Sequence, residues 1–217
     1  MSTAASPGKP RLRGVSHLWG FPVSLVCGIV LIALAPPGRA LVAAAIYGAA
    51  VSGLLGTSAL YHRVDWRPAA RRWMRRLDHS MIFVLIAASY TPFALLAMHG
   101  ALATAVMIVV WSGAAVGVGL QLLWPEHPKS VALVVSLAIG WVAVATLSQL
   151  PKTIGWWAIA AIALSGILYS AGGVIYARER PNPLPGTFGY HELFHALVLA
   201  AAAIQYAVVA FVVLPLG

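Results

Sequence analysis

Long apolar runs separated by short polar breaks dominate the pattern along this chain. The runs are Leu18 to Ala35, Ala40 to Tyr61, Leu77 to Met98, Leu102 to Trp124, Val131 to Leu150, Ile154 to Ala177 and Tyr190 to Leu214. Each has roughly the 20 residues that a helix needs to cross a hydrocarbon core of about 30 Å. Lipid offers no partner to backbone N–H and C=O groups, so runs of this length predict helices. The expected fold is an all-α integral membrane bundle of seven transmembrane helices. A polar arm over residues 1–17 precedes a single membrane domain over residues 18–217. Pro22 and Pro92 fall inside runs and are expected to kink helices rather than end them. Trp19, Trp124, Trp156, Trp157 and Tyr190 lie near run ends, where interfacial aromatics belong. The first run is longer than a signal-peptide core, and Pro36 follows directly on the cleavage-like Ala33-Leu34-Ala35. It reads as a retained helix.

Composition agrees with that reading. Apolar residues make up 61% of the chain and charged ones only 9%, where a soluble domain carries nearer a quarter charged. Cys27 is the single cysteine, which excludes an internal disulfide. The net charge of +9 would suggest nucleic acid only if it formed a basic face on a soluble surface. Here the Lys and Arg residues sit in the breaks. The arm holds Lys9, Arg11 and Arg13, and the segment from His62 to Arg76 holds six Arg. Lys129, Arg178 and Arg180 fall on the same side of the alternation, and only Arg39 and Lys152 fall on the other. The positive-inside rule then predicts a cytoplasmic N-terminus and an outside C-terminus. That is opposite to a G-protein-coupled receptor. The Arg-rich segment has a second reading beside topology, since basic clusters at a cytoplasmic surface attract anionic lipid head groups by about 1 kcal/mol per residue.

The candidate chemistry starts at Tyr190-His191-Glu192-Leu193-Phe194-His195. His191 and His195 are spaced i, i+4, so on a helix both imidazoles leave one face and can converge on a metal. The predicted topology brings His62, at the cytoplasmic end of the second helix, to the same depth. Asp78, early in the third helix, joins that layer, and Ser58 lies one turn before His62. Three histidines leave the fourth position of a tetrahedral zinc open, as in a catalytic site, where a bound water ionises near neutral pH. Asp78 could act as general base, and Ser58 could hydrogen-bond to Asp78 or to a developing oxyanion. The plainer alternatives are polar glue between helices for the histidines, a helix cap for Asp78, and a bond back to a helix carbonyl for Ser58. His17, His99 and His127 read as interfacial residues beside loops, as does His79. The His-Glu-x-x-His match also fits a zinc protease. No His, Asp, Glu or Cys follows His195, so a third ligand must come from upstream, and that reading is the weaker. Glu192 is expected to favour its helix N-terminus or to pair with Arg178 or Arg180.

Ser58-Ala-Leu-Tyr-His62, Leu77-Asp78-His79-Ser80-Met81-Ile82-Phe83, Tyr90-Thr91-Pro92-Phe93 and Gly189-Tyr190-His191-Glu192-Leu193-Phe194-His195 together resemble the hemolysin III family. That family is the bacterial branch of the progestin and adipoQ receptor proteins, within a membrane hydrolase superfamily that includes alkaline ceramidases. The resemblance covers nearly the whole chain. It implies zinc held by His62, His191 and His195, with Asp78 reaching it through water and Ser58 close by. It also implies a role in lipid amide hydrolysis, receptor-like signalling, membrane homeostasis or cytolysis. Gln205 departs from relatives that often keep a His in the last helix. The expectation is a zinc-dependent hydrolase of a membrane lipid amide or ester, set in a bacterial inner membrane. The alternatives are a non-enzymatic sensor with structural zinc, and a cytolysin or channel.

Overall fold

The computed structural model describes residues 10–217; residues 1–9, and with them Lys9, lie outside the described residues. The described chain is an all-α bundle in which seven helical spans are long and apolar enough to cross a membrane. They are built from α1 (Val15–Leu34), α2 (Arg39–Arg63), α3 (Pro68–Pro92), α4 (Gly100–Leu123), α5 (Lys129–Gly140), α7 (Trp156–Arg178) and α8 (Tyr190–Val208), with the short α6 (Leu150–Ile154) between the fifth and sixth spans. Aliphatic side chains such as Val26, Ile29, Ile108 and Val116 are exposed on the outer faces, as a lipid-facing surface requires. Inside, α1 and α2 meet where Gly28 faces Gly48. A Cβ at Gly48 would stand 3.1 Å from the Gly28 Cα, so small residues let these backbones approach.

Three elements depart from the apolar runs. α1 begins at Val15 rather than Leu18, which brings His17 into the helix. α3 begins at Pro68 rather than Leu77, so most of the Arg-rich segment is helix and not loop. Proline at the first helical position explains that start, because its φ is already helical and its missing N–H would have had no partner there. At the other end, Pro92 leads into a π-helical turn over Phe93–Ala97, which continues the span past the proline. The third departure is α5, which stops at Gly140 and continues as a 3-10 segment over Trp141–Ser148. The Tyr90 hydroxyl of α3 is inserted at this break. It accepts from the Ala143 N–H at 2.9 Å and donates to the Gly140 carbonyl, supplying partners that a continuous helix would have found within itself.

The basic breaks meet at one end of the bundle. Arg11 and Leu12 give backbone N–H groups to the Gly186 and Thr187 carbonyls at 3.0 and 3.2 Å. Arg75 Nη2 donates to the Pro125 carbonyl at 3.1 Å, and Lys129 Nζ to Glu179 Oε1 at 2.6 Å. The arm, the start of α3, and the α4–α5 and α7–α8 connections are thereby tied together over the ends of α2 and α8.

Candidate metal centre

α2, α3 and α8 deliver the centre's side chains from their inner faces at that end. Ser58 and His62 lie one turn apart on α2, Asp78 lies on α3, and His191 and His195 lie in the first turns of α8; all five are buried. The ligand atoms of His62, His191 and His195 all lie within 4.8 Å of one another. His62 Nε2 and His191 Nε2 are 3.1 Å apart. Two imidazole nitrogens on a tetrahedral zinc are separated by roughly 3.3 Å, given Zn–N bonds of about 2.0–2.1 Å. The His195 ring completes the triangle, 4.6 Å from His191 and 5.1 Å from His62 between centroids, and its buried Nδ1 has no hydrogen-bond partner. Asp78 Oδ2 faces His62 Nε2 at 3.9 Å, beyond direct hydrogen-bond distance. The Ser58 hydroxyl neighbours that carboxyl, and no hydrogen bond of normal geometry reaches its oxygen. A set of neutral imidazoles with a carboxylate beside it suits zinc. The residues fit the metal. Asp78 lies well inside α3, which removes its reading as a helix cap.

Some expectations need correction. His17 is not an interfacial loop residue; it is 2% exposed and its ring stacks on His195 with centroids 3.9 Å apart and planes 15° off parallel. Coordination runs along a nitrogen lone pair in the ring plane, so a parallel ring covers His195 rather than joining it as a ligand. Applying the depth argument to the first helix would have found His17, but starting that run at Leu18 left it in the arm. Glu192 does not pair with Arg178 or Arg180. Its Oε1 takes Arg13 Nε and its Oε2 accepts the Gly189 N–H at 2.8 Å, half of a capping box. His79 and His127 are half-buried and line the site's cavity, and His99 is exposed. Gln205 is buried further along α8 and lines the same cavity.

The arm also packs on a proposed ligand. Gly14 has φ +77°, and a Cβ there would stand 2.5 Å from the His62 Cβ. Only glycine meets both conditions without strain. From this layer a cavity of about 1040 Å³ runs inward between α3, α5 and α7. Arg71, Arg75 and Lys129 line one end, and Phe93 and Leu150 the other.

A seven-span membrane bundle with a buried three-histidine cluster at one end defines a narrow class of protein. The sequence profile described as Haemolysin-III related matches residues 6–206, and the chain belongs to that family. It is 28% identical over 206 residues to Hemolysin-3 of Bacillus cereus, covering 94% of this chain and 91% of that protein. It is likewise 28% identical over 199 residues to a Hemolysin-3 homolog of Bacillus subtilis, covering 92% and 90%. Human monocyte to macrophage differentiation factor is 28% identical over 165 residues, covering 74% of this chain and 66% of that protein.

Proposed function

We propose that the protein binds zinc through His62, His191 and His195 and hydrolyses an amide or ester of a membrane lipid at the cytoplasmic leaflet of a bacterial inner membrane. The observation that carries this reading is the convergence of three buried imidazoles beside Asp78, opening on a lipid-sized cavity. When bound, zinc polarises water and a carbonyl oxygen. Asp78 accepts the proton that water releases as its oxygen adds to the carbonyl carbon, and returns it to the nitrogen or oxygen that leaves. Ser58 donates to the Asp78 carboxylate or to the oxygen where negative charge develops. The apolar cavity excludes bulk water and holds the acyl chain. The orientation follows from the basic residues gathered at the site's end of the bundle.

Metal analysis of protein purified in detergent without chelators tests the reading. About one zinc per chain is expected, lost in His62→Ala and in His191→Ala. Wild type should then release product from a lipid amide or ester series, and Asp78→Ala should retain zinc while losing turnover. Folded wild type without zinc would end this proposal. A second reading, a structural zinc in a sensor without activity, is favoured by the arm that closes on the site through Arg13 and Gly14. Zinc retained with no hydrolysis across the series would select it.

A further inference from the structure

One face of α3 lines the cavity from end to end. Arg71, Arg75, Asp78, Ile82, Ser89 and Phe93 follow one another at helical spacings of three, four or their sums, so they form a single stripe. Its polarity changes in order. Two guanidiniums come first, then the carboxylate of the candidate centre, then a mostly apolar length. At 1.5 Å per residue, Arg71 lies about 10 Å before Asp78 along the helix, and Ile82 to Phe93 spans about 16 Å beyond it. Among the described residues neither Arg71 nor Arg75 has a carboxylate partner. Arg71 sits over the Tyr61 ring at 5.6 Å, and Arg75 is held by the Pro125 carbonyl at 3.1 Å. By contrast Lys129 at the same mouth is paired with Glu179, and Arg13 with Glu192. Glu126, an exposed residue, is the one carboxylate besides Asp78 that lines the cavity. The lining is net positive at the mouth and neutral in depth.

From this order we infer that the cavity selects a lipid with an anionic head group, its phosphate or carboxylate held by Arg71 and Arg75 and its acyl chain laid along α3 toward Phe93. A planar guanidinium pair suits such an oxyanion because each can offer two parallel N–H donors. The four other arginines of the segment, Arg63, Arg67, Arg72 and Arg76, do not line the cavity. The inference rests on the lipid-site reading of the cavity, and binding tests it without requiring turnover.

The probe is an oleoyl lysophosphatidate, compared with the oleoyl monoacylglycerol that lacks only the phosphate, each titrated into purified full-length protein in a neutral detergent. Wild type should bind the phosphate-bearing probe about thirtyfold more tightly, the effect of two cations near a head group. Arg71→Gln with Arg75→Gln should erase that preference while leaving the neutral probe's affinity unchanged. Arg71→Lys with Arg75→Lys should restore only part of it, since the ammonium keeps the charge but not the paired donors. Arg63→Gln with Arg72→Gln, an equal change of charge outside the cavity, should leave it intact. Equal affinity for both probes in wild type, or an equal loss in the Arg63/Arg72 control, would overturn the inference. Displacement of the probe by inorganic phosphate alone at similar concentration would also overturn it, since the site would then be a free-anion site. Zinc content is read on the same samples. Head-group preference without zinc refutes the hydrolase reading alone, and zinc without the preference refutes this inference alone.

Discussion

α2 and α5 both cross the membrane beside the same cavity, yet they are built in opposite ways. In the most apolar stretch of α2, 61% of residues are buried, against 11% for the span that contains α5. α2 is rich in Ala, Gly and Ser and is enclosed by α1 and α3, and it carries Ser58 and His62 on its inner face. α5 has one buried residue, Ile139, with most of its other side chains half-buried, and it gives way to a 3-10 segment at Trp141. The difference separates two tasks. Groups that must converge to a few tenths of an ångström stand on helices that packing holds rigid. On the proposed lipid-site reading, the wall through which a lipid would pass is this outer helix, with fewer buried residues to hold it in place.

The largest effect should come from breaking the rigid side at its centre. His62→Ala removes the one candidate ligand that α2 contributes and unties it from α8. Zinc content should fall to background, and the thermal midpoint with added zinc should drop to that of the metal-stripped wild type, because metal binding energy is then no longer folding energy. Asp78→Ala, on the same side of the comparison, should keep zinc and lower turnover by about 100-fold to 10,000-fold. Equal zinc in wild type and His62→Ala would sink the three-helix site.

The next effect lies at the join between arm and centre. Glu192 is almost fully buried, with its side chain 2% exposed against 18% for Arg13. Removing Arg13 leaves a carboxylate without its ion partner in a buried place, a loss of about 3 kcal/mol. Arg13→Ala should therefore lower stability clearly in a thermal or denaturant melt. Arg13→Ala with Glu192→Gln should recover part of the loss, because the stranded charge is gone. A double variant no more stable than the single one would mean that the pair is not what holds the arm.

The seven spans were legible because each apolar run is as long as a bilayer is thick, and lipid forbids the alternatives. His62, His191, His195, Asp78 and Ser58 could be collected from the sequence because depth follows from topology, and helical spacing gives the face. What escaped lies where structure is set by a distant partner. The start of α3 at Pro68 is hidden under four arginines, Arg71, Arg72, Arg75 and Arg76, that hydropathy reads as a break. The pairing of Arg13 with Glu192 joins residues at opposite ends of the chain, and no local pattern distinguishes it from a pairing with Arg178 or Arg180. His17 lies in the first turn of α1, which precedes the apolar run, so hydropathy alone assigns it to the arm. The break in α5 leaves no mark on hydropathy, since Val131 to Leu150 holds no charged residue and only Gly140 stands where the helix ends; the hydroxyl that bonds the opened backbone belongs to a tyrosine on another helix.

That tyrosine supports a smaller prediction on the outer side. Tyr90→Phe keeps the ring but removes the oxygen that accepts the Ala143 N–H and donates to the Gly140 carbonyl. An unpaired buried backbone group costs about 1–3 kcal/mol, part of which α5 can recover by closing its own helical bonds across the break. The variant should lose about 1 kcal/mol, and hydrogen exchange at Ala143 should change more than exchange in α2. Unchanged exchange at Ala143 would show that Tyr90 does not hold the break.

The smallest effect belongs to α5 itself. Val134 is 64% exposed, so Val134→Ala takes away a side chain that faces lipid rather than protein, and its expected change in stability is within about 0.5 kcal/mol. Ala201 on α8 is fully buried and offers its carbonyl to Ser165 at 3.0 Å, so a larger side chain there, as in Ala201→Val, must displace packed neighbours at a cost of about 1–3 kcal/mol. Thermal melts of the two variants in one detergent therefore measure the contrast directly. Near-equal losses would mean that α5 is held as firmly as the helices of the centre, and the lipid would have to reach the cavity by another side. A silent Val134→Ala beside a destabilised Ala201→Val would leave α5, on the proposed lipid-site reading, as the wall with little packing to lose if it opened.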